Sequence, residues 1–387
     1  MRATRALIHL DNLRNNILQI KSCVASGVKM CIAVKADAYG HGAVECARTA
    51  CECGADFLAV ATVDEGIELR NAGIKVPLLM LSLCAPEEVR NAVAYDITPL
   101  VFDAEYAGLF SKECKLQGKK DFSVHLAVDT GMGRIGCLPS EAGQTAAGIA
   151  ALDNIVLGGM CTHFAVSDSL KASDCEYTER QFKLFKDAVE SVRKAGIDPG
   201  ICHCCNSAAT LNNPEMHLDM VRPGIIVYGY YADEISKEFL EAKGIRIDLR
   251  PVMTFESEVC AVRSFRTGAS IGYGCTWTAD TDTRIAVIPA GYADGMLRNF
   301  STAGVKVSVN GKNYPIRGRI CMDQFMIELG NDSETCRWDK AVIFGDKDFG
   351  ALQTADDVAR LTGTISYEIT CGISKRVPRV FLTSHTR

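Results

Sequence analysis

A lysine near the start of the chain is the first residue that could do covalent chemistry. Lys35 ends the apolar run Lys29–Lys35, and the loop Ala36–Gly42 behind it holds an aromatic residue and two glycines. Apolar surroundings disfavour a charged ammonium and so lower the pKa of a lysine. A neutral amine is what a Schiff base with a carbonyl compound requires. A lysine at a strand end can instead extend its charge into solvent, but the glycine-containing loop favours chemistry.

Four further segments place polar groups directly after apolar runs. They are Asp129–Gly136, Thr162–Phe164, Asn206–Ala208 and Arg222–Ile225. Small residues after the last two strands are typical of the phosphate site of a β/α barrel, and Ser207 stands at a helix start, where backbone N–H groups bind phosphate. A Schiff-base lysine together with a phosphate site indicates pyridoxal 5'-phosphate.

Two other motifs are weak. Gly131–Gly136 has the spacing G-x-G-x-x-G, but a dinucleotide site needs an immediate helix, and Cys137-Leu138-Pro139 follows instead. We expect a tight loop that turns Arg134 inward. Cys202–Cys205 contains C-x-x-C without an obvious second pair for zinc, so these residues are expected in a buried strand. We predict no metal site.

The elements that must position these residues alternate along the first 240 residues. Eight short apolar runs separated by amphipathic helical stretches favour parallel strands with helical crossovers, and their number fits a (β/α)8 barrel. A doubly wound sheet is the alternative. The predicted strands are Lys29–Lys35, Asp56–Ala61, Val76–Ser82, Ile97–Phe102, Ser123–Asp129, Ile155–His163, Ile201–Asn206 and Met220–Tyr228.

The pattern changes after about residue 243. Strand-like segments now follow one another, Asn310-Gly311 is a hairpin signal, and only Thr354–Gly363 is predicted to be a helix. The fold class is therefore α/β, with an N-terminal TIM-type barrel over residues 1–243 and a mostly β C-terminal domain over residues 244–387. Residues 1–10 are expected to form a strand that pairs with the second domain.

Composition excludes several classes of protein. The 387 residues are 48% hydrophobic and 23% charged, and 42 basic against 47 acidic side chains give a net charge of −5. This is typical of a globular chain and not of a nucleic-acid-binding surface. No apolar run approaches the roughly 20 residues of a membrane span, and no signal-peptide core is present. We expect a cytoplasmic protein whose 18 cysteines mostly pack in its core.

Five segments in register resemble the alanine racemase family. They are Lys35–Gly42, Asp129–Gly136, Asn206–Thr210, Gly291–Gly295 and Arg319–Asp323, and the resemblance runs from residue 4 to about residue 382. It implies a pyridoxal-phosphate enzyme with a barrel and a β domain, assembled as a head-to-tail homodimer with shared active sites. The implied reaction interconverts L-alanine and D-alanine by two bases and supplies D-alanine for peptidoglycan.

The resemblance also implies roles for individual residues. Lys35 holds the cofactor as an aldimine and is one catalytic base, and Tyr273 of the other subunit is the opposite base. The cofactor-binding residues are Lys35, Tyr39, His163, Asn206, Ser207, Arg222, Gly224, Ile225 and Tyr367. Arg134 and the backbone N–H of Met322 bind the substrate carboxylate. The residues at the entrance are Asp168, Tyr292, Arg298, Arg319 and Ile365.

One position departs from the family pattern. Many members have a carbamylated lysine two residues before the Asp129 motif, and this chain has Ala127. No carbamate can form there, so we expect a bound anion or a neighbouring side chain to hold Arg134.

Three alternatives remain at this stage. A serine racemase on the same fold differs by one small group, which a pocket discriminates by only about 1–3 kcal/mol. A non-catalytic pyridoxal-phosphate carrier would not need the second domain or Tyr273. A decarboxylase of the same fold would have an acid where this chain has Arg222.

Overall fold

The N-terminal half of the chain is a barrel of eight parallel strands. The structure is a computed structural model that describes residues 2–383. After β1 (Arg5–His9), the barrel strands are β2 (Lys29–Ala33), β3 (Phe57–Val60), β4 (Leu78–Met80), β5 (Ile97–Val101), β6 (Phe122–Ala127), β7 (Ile155–Cys161), β8 (Ile201–His203) and β9 (Met220–Val221).

Helical segments alternate with these strands along the chain. They are α1 (Leu10–Ser22), α2 (Lys35–Gly40), α3 (Ala43–Glu52), α4 (Val63–Asn71), α5 (Val89–Ala94), α6 (Ala104–Gln117), α7 (Ala142–Ala150), α8 (Ala172–Lys194), α9 (Ser207–Asn212) and α10 (Lys237–Ala242). No helix in the described part of the chain is long and apolar enough to cross a bilayer.

The order of the strands confirms the predicted barrel. The ladder runs β8-β7-β6-β5-β4-β3-β2-β9. Between its two ends, the Asp219 N–H donates to the Cys202 carbonyl at 3.1 Å and the Arg222 N–H to the Cys205 carbonyl at 2.9 Å. The carboxyl ends of all eight strands therefore meet at one rim.

The eighth predicted strand was too long. It ends at Val221, and the segment Ile225–Tyr228 is a 3-10 helix. The reason is local, because Pro223 has no N–H to continue a ladder and Gly224 adopts φ −123°, ψ −97°. The chain turns there and leaves Gly224 and Ile225 at the rim.

The C-terminal domain is built on a nine-stranded sheet. Its strands are β10 (Met253–Glu258), β11 (Ala261–Phe265), β14 (Thr283–Ile288), β15 (Lys306–Val309), β16 (Lys312–Arg317), β17 (Phe325–Glu328), β18 (Lys340–Phe344) and β19 (Arg379–Leu382), with a small pair of β12 (Ser270–Ile271) and β13 (Trp277–Thr278) beside it. The strand β1 lies in this sheet, antiparallel to β10 and parallel to β19. The domain boundary at 243/244 stays a prediction.

The helix content of this domain was underestimated. The predicted helix is present as α11 (Ala355–Thr362) with Thr354 as its cap. A second helix, α12 (Ser366–Cys371), was missed because it is short and its N-cap, Ile365, has no side chain that accepts a hydrogen bond. This helix carries Tyr367 to the barrel.

The loop after Lys35 has an unusual backbone. Ala36, Asp37, Ala38 and Tyr39 all have φ between 51° and 53°, which makes one left-handed helical turn. Each non-glycine residue in this region costs roughly 1–2 kcal/mol, so the turn forms only where its surroundings hold it.

Contacts from both domains hold the left-handed turn. Glu65 accepts a hydrogen bond from the Ala36 N–H at 2.7 Å, and Asp37 caps the Ala43 N–H at 2.8 Å. On the other side, Arg379 of β19 donates to the Gly40 carbonyl at 3.0 Å. Gly40 lies so close to α12 that an added Cβ would clash with the Thr370 carbonyl.

We therefore expect Gly40→Ala to be far more harmful than an ordinary glycine substitution. Gly73 has a similar φ (+86° against +83°) and open space around it, so Gly73→Ala isolates the backbone cost. Urea unfolding should show a loss of about 1 kcal/mol for Gly73→Ala and about 2–4 kcal/mol for Gly40→Ala, because the clash adds to the strain. Equal losses would contradict the close packing of the turn on α12.

Candidate active site

Lys35 lies at the carboxyl rim of the barrel with a lowered pKa. Burial is the main cause, and the positive charges of Arg134 and Arg222 act in the same direction, while Glu65 partly opposes them. Each of these effects disfavours the ammonium form. The predicted amine nucleophile is therefore placed in the environment that its chemistry needs.

A polar cradle lies beside this lysine. The Gly224 N–H donates to Ser207 Oγ at 2.8 Å, and the ring of Tyr39 lies 5.6 Å from that of Tyr367. A Cβ at Gly224 would lie 2.8 Å from the Tyr39 hydroxyl, so only glycine leaves this space open. Burial raises the pKa of both tyrosines, so both are hydroxyl donors.

Asn206 orders the helix that borders the cradle. Its Oδ1 accepts from the Ala209 N–H at 3.1 Å and caps α9, while Ser167 donates to the same oxygen at 2.9 Å. The first N–H groups of a helix have no intrahelical acceptor. Those of α9 begin at Ser207, and the buried Ile225 completes the cradle.

Arg222 is a buried cation held by uncharged acceptors. It is 5% exposed and donates to His203 Nδ1 at 2.7 Å, the Thr162 carbonyl at 2.9 Å and the Cys204 carbonyl at 3.2 Å. Its Nε–H has no acceptor within residues 2–383. This Nε–H of a permanently charged group therefore remains available to a ligand.

His163 is the fourth partner of this guanidinium. Arg222 Nη2 lies 3.3 Å from His163 Nδ1. Burial, followed by the charges of Arg222, Arg134 and Lys35, lowers the pKa of His163 to about 3. The ring is neutral at neutral pH, and because Arg222 only donates, the ring proton lies on Nε2.

Two histidines that the sequence analysis did not assign to the site extend the network. His203 Nε2 lies 2.9 Å from His125 Nδ1 inside the barrel, and His203 also contacts Arg222. His203 belongs to the Cys202–Cys205 motif considered above for zinc. No group of three or more metal-binding side chains occurs in the described chain. The sequence signal that could have found His125 and His203 is a histidine at a position of a barrel strand whose side chain faces the barrel interior.

The loop after β6 is tightly folded, and Arg134 lies in it. Asp129 Oδ1 accepts hydrogen bonds from the Gly131 and Gly133 N–H groups at 2.9 and 3.0 Å. The Arg134 guanidinium contributes to the lowered pKa values of Lys35 and His163, so it is near both. Ala127 is buried at the end of β6. That a bound anion or a neighbouring side chain holds Arg134 stays a prediction.

The remaining site residues form a separate group on the β domain. Tyr273 is 70% exposed and Met322 52% exposed, and both line a groove of about 720 Å³. All residues that line this groove, from Arg263 to Met326, belong to the β domain. Within one chain, the structure thus brings the barrel residues together but does not bring Tyr273 or Met322 to Lys35.

The predicted entrance residues are divided in the same way. Asp168 contributes to the raised pKa of Tyr367, which places it near the cradle, and Ile365 directly precedes α12. Arg319 lies against Gly274 in the loop of Tyr273. Tyr292 and Arg298 are exposed on the β domain.

A buried carboxylate fixes the Met322 loop. The Tyr292 and Ala293 N–H groups donate to the Cys321 and Met322 carbonyls, each at 3.0 Å. Arg376 forms ion pairs with the fully buried Asp294 at 2.6 Å and with Asp323 at 2.7 Å, and so links the two carboxylates. Burial alone would raise the pKa of Asp294, but hydrogen bonds from Arg376, Arg2 and the Gly291 N–H hold it below its usual value.

Known families match both halves of the chain. The alanine racemase N-terminal domain matches residues 8–232, and the alanine racemase C-terminal domain matches residues 252–381. An alanine racemase of Treponema denticola is 47% identical over 384 residues, which is 99% of each chain. This chain belongs to the alanine racemase family. Its members are isomerases.

Solved structures of the alanine racemase family share the whole architecture. An alanine racemase of Clostridium difficile 630 has a TM-score of 0.92 at 38% identity, with 99% of this chain and 97% of that chain covered. An alanine racemase of Bacillus anthracis with bound L-Ala-P has a TM-score of 0.90 at 35% identity, with 99% and 96% covered.

The lowered pKa of Lys35 predicts selective reactivity. In protein with a free Lys35 amine, reductive methylation of Lys35 should reach half its maximum rate at a lower pH than that of a lysine in a short unstructured peptide, because only the neutral amine reacts. Mass spectrometry across a pH series measures both rates.

The variant Arg134→Ala is the matched test of the cause. It removes a positive charge that favours the neutral amine, so the Lys35 profile should move to higher pH. A Lys35 profile in the unaltered protein that overlaps the profile of the peptide lysine would refute the lowered pKa.

Proposed function

We propose that this protein is a pyridoxal-phosphate-dependent alanine racemase that interconverts L-alanine and D-alanine in the cytoplasm as a homodimer with shared active sites. The observation that carries the proposal is the juxtaposition of a lysine of lowered pKa, a polar cradle and an unpartnered N–H of a buried arginine. The family membership of the whole chain supports it.

The residues at the rim fit pyridoxal phosphate. Lys35 would hold the cofactor through its amine. Tyr39, Ser207 and Tyr367 with the backbone at Gly224 and Ile225 would bind the phosphate, since hydroxyl and backbone N–H donors are the groups that bind it. The Arg222 Nε–H would donate to the pyridine nitrogen, which is an acceptor when unprotonated. Bound pyridoxal phosphate makes the Cα hydrogen of an amino acid acidic.

Arg222 determines which chemistry the site favours. A guanidinium does not give up its proton at physiological pH, so Arg222 would donate a hydrogen bond to the ring nitrogen of bound pyridoxal phosphate without protonating it. A ring nitrogen left unprotonated would make the cofactor a weaker acceptor of negative charge from Cα. We infer that this favours return of a proton to Cα over side reactions such as transamination.

Racemisation needs a base on each face of Cα. Lys35 is one base, because its lowered pKa keeps the amine available to accept a proton. Tyr273 is the other. The neutral His163 presents its Nε2–H, and Arg222 lies behind it at 3.3 Å. A donor backed by a cation favours a negatively charged phenolic oxygen in front of it.

Substrate binding uses both groups of residues. Arg134 at the barrel rim and the Met322 N–H on the β domain would hold the carboxylate of alanine, while Tyr367 would limit the space for the side chain. Asp168, Tyr292, Arg298, Arg319 and Ile365 would line the entrance. The second group reaches the first only if a second copy of the chain supplies it, which is why a dimer with shared sites is proposed.

Subunit complementation tests the sharing. Lys35→Ala and Tyr273→Phe should each abolish conversion of L-alanine to D-alanine. When the two variants are unfolded together and refolded, half of the dimers are mixed, and one of their two sites holds both native bases. Activity should therefore return to about a quarter of the wild-type value, measured with a D-amino-acid oxidase assay.

Separate refolding of each variant is the control for that experiment. A wild type that does not convert L-alanine refutes the proposed reaction, and a wild type that converts L-serine faster points to the serine racemase alternative. Full inactivity of the mixture with an active wild type would place both bases in one chain.

The pair of ion bridges from Arg376 to Asp294 and Asp323, here called the Arg376 bridge, predicts a change confined to substrate binding. Asp323→Asn removes one ion pair of the Met322 loop, and a partly exposed pair is worth up to about 1 kcal/mol. We expect KM for L-alanine to rise roughly threefold to fivefold with kcat little changed, as for an interaction made equally in ground and transition states.

The matched control for this prediction is Asp332→Asn, an equally conservative change at an exposed position outside the bridge. It should leave both constants unchanged. A fall in kcat without a change in KM for Asp323→Asn would argue against a positioning role at the carboxylate.

A further inference from the structure

A second cavity of about 400 Å³ lies at the opposite mouth of the barrel, where the strands begin. Its wall is formed by strand residues from across the barrel, namely Phe57, Thr98, Phe122, Ser123, Gly158 and Ile201. The proposed active site lies at the other ends of the same strands. No role at this mouth follows from the reaction.

His125 is the buried polar group that lines this cavity. It is 1% exposed, and its imidazole is neutral because burial, with the charge of Arg222, lowers its pKa to about 4. Gly159 packs directly against this ring, since a Cβ there would lie 2.6 Å from it, so a glycine is needed for the ring to occupy this position.

The hydrogen-bond chain fixes which ring nitrogen of His125 carries the proton. Arg222 only donates, so His203 accepts at Nδ1 and carries its proton on Nε2. That N–H donates to His125 Nδ1 at 2.9 Å, which leaves the proton of His125 on Nε2. This Nε2–H retains solvent access and has no acceptor among residues 2–383.

The cavity is positively charged in an acidic protein. Arg70, Lys75, Lys119 and Lys120 line it against two carboxylates, Asp96 and Asp121, while the whole chain has a net charge of −5. Arg70 and Lys119 donate hydrogen bonds to backbone carbonyls, and Lys119 also forms an ion pair with Asp96.

The ammonium groups of Lys75 and Lys120 are in a different situation. Both side chains are exposed, and neither has a hydrogen-bond or ion-pair partner in the part of the chain that the structure describes. The ammonium groups of Lys75 and Lys120 therefore lie at the rim of the cavity without partners in the described chain, and the cavity wall offers the His125 Nε2–H as a donor without an acceptor there.

We propose that this mouth of the barrel binds a small oxyanion, a phosphate or carboxylate group, which accepts a hydrogen bond from His125 Nε2–H and is held by the charges of Lys75 and Lys120. A fixed N–H donor combined with flexible ammonium groups is suited to an anion and gives a cation no ligand other than the two carboxylates. This proposal does not depend on the proposed racemase function.

Calorimetric titration of the holoenzyme tests the binding. Inorganic phosphate and, separately, acetate are titrated at constant ionic strength, with chloride as the competing salt. We expect saturable binding of one phosphate per chain. Acetate would also bind at the substrate carboxylate site of Arg134, so its affinity for the cavity is taken only from the binding that the double variant loses. The double variant Lys75→Gln/Lys120→Gln should bind at least tenfold more weakly.

The matched control is Lys112→Gln/Lys115→Gln, which removes two exposed charges from α6 outside the cavity lining. It should bind like the wild type. Crystals soaked with selenate should show an anomalous peak within hydrogen-bond distance of His125 Nε2. The absence of saturable binding of phosphate and of any binding of acetate that the double variant loses, an equal loss in the control, or the absence of a peak at His125 would overturn the proposal.

Discussion

The guanidinium of Arg222 shifts the pKa values and sets the hydrogen-bond directions of the polar groups inside the barrel. Removing a charge from water costs several kcal/mol, and this cation is compensated by two carbonyls and two imidazoles, with no carboxylate among its hydrogen-bond partners in the described chain. Its charge is therefore not cancelled, and it acts on every titratable group around it. Lys35, His163 and His203 all have lowered pKa values to which Arg222 contributes.

Because arginine donates and never accepts, Arg222 also gives direction to the network. His163 and His203 must each present an acceptor to it and so carry their protons on the far side. His163 thus offers an Nε2–H, which in the proposed dimer would face Tyr273 of the second copy, and the Nε2–H of His203 leads through the barrel to His125. A single permanent charge thus sets the polarity of two hydrogen-bond paths.

Much of this fold could be predicted from the sequence, because strand–helix alternation with apolar strands has few solutions. The eighth strand was overestimated where Pro223 and Gly224 interrupt the ladder, and α12 was missed because it is short and uncapped. Within the site, Lys35 and Ser207 were indicated by their place at strand and helix ends. His163, which contacts Arg222, was among the predicted site residues. His203 and His125 were not, since His125, His203 and Arg222 are separated by 78 and 19 residues and meet only in the barrel interior.

The left-handed turn after Lys35 has a consequence for the order in which the protein matures. Its carbonyl at Gly40 is held by Arg379, 339 residues later in the chain, and Gly40 rests against α12, which is also close to the C-terminus. During synthesis the barrel strands leave the ribosome long before either element exists. A nascent chain can thus close its barrel while the Gly40 carbonyl still lacks its Arg379 donor and the turn lacks its packing against α12. A chain that ended before these elements would lack the contacts by which the C-terminal domain holds the turn.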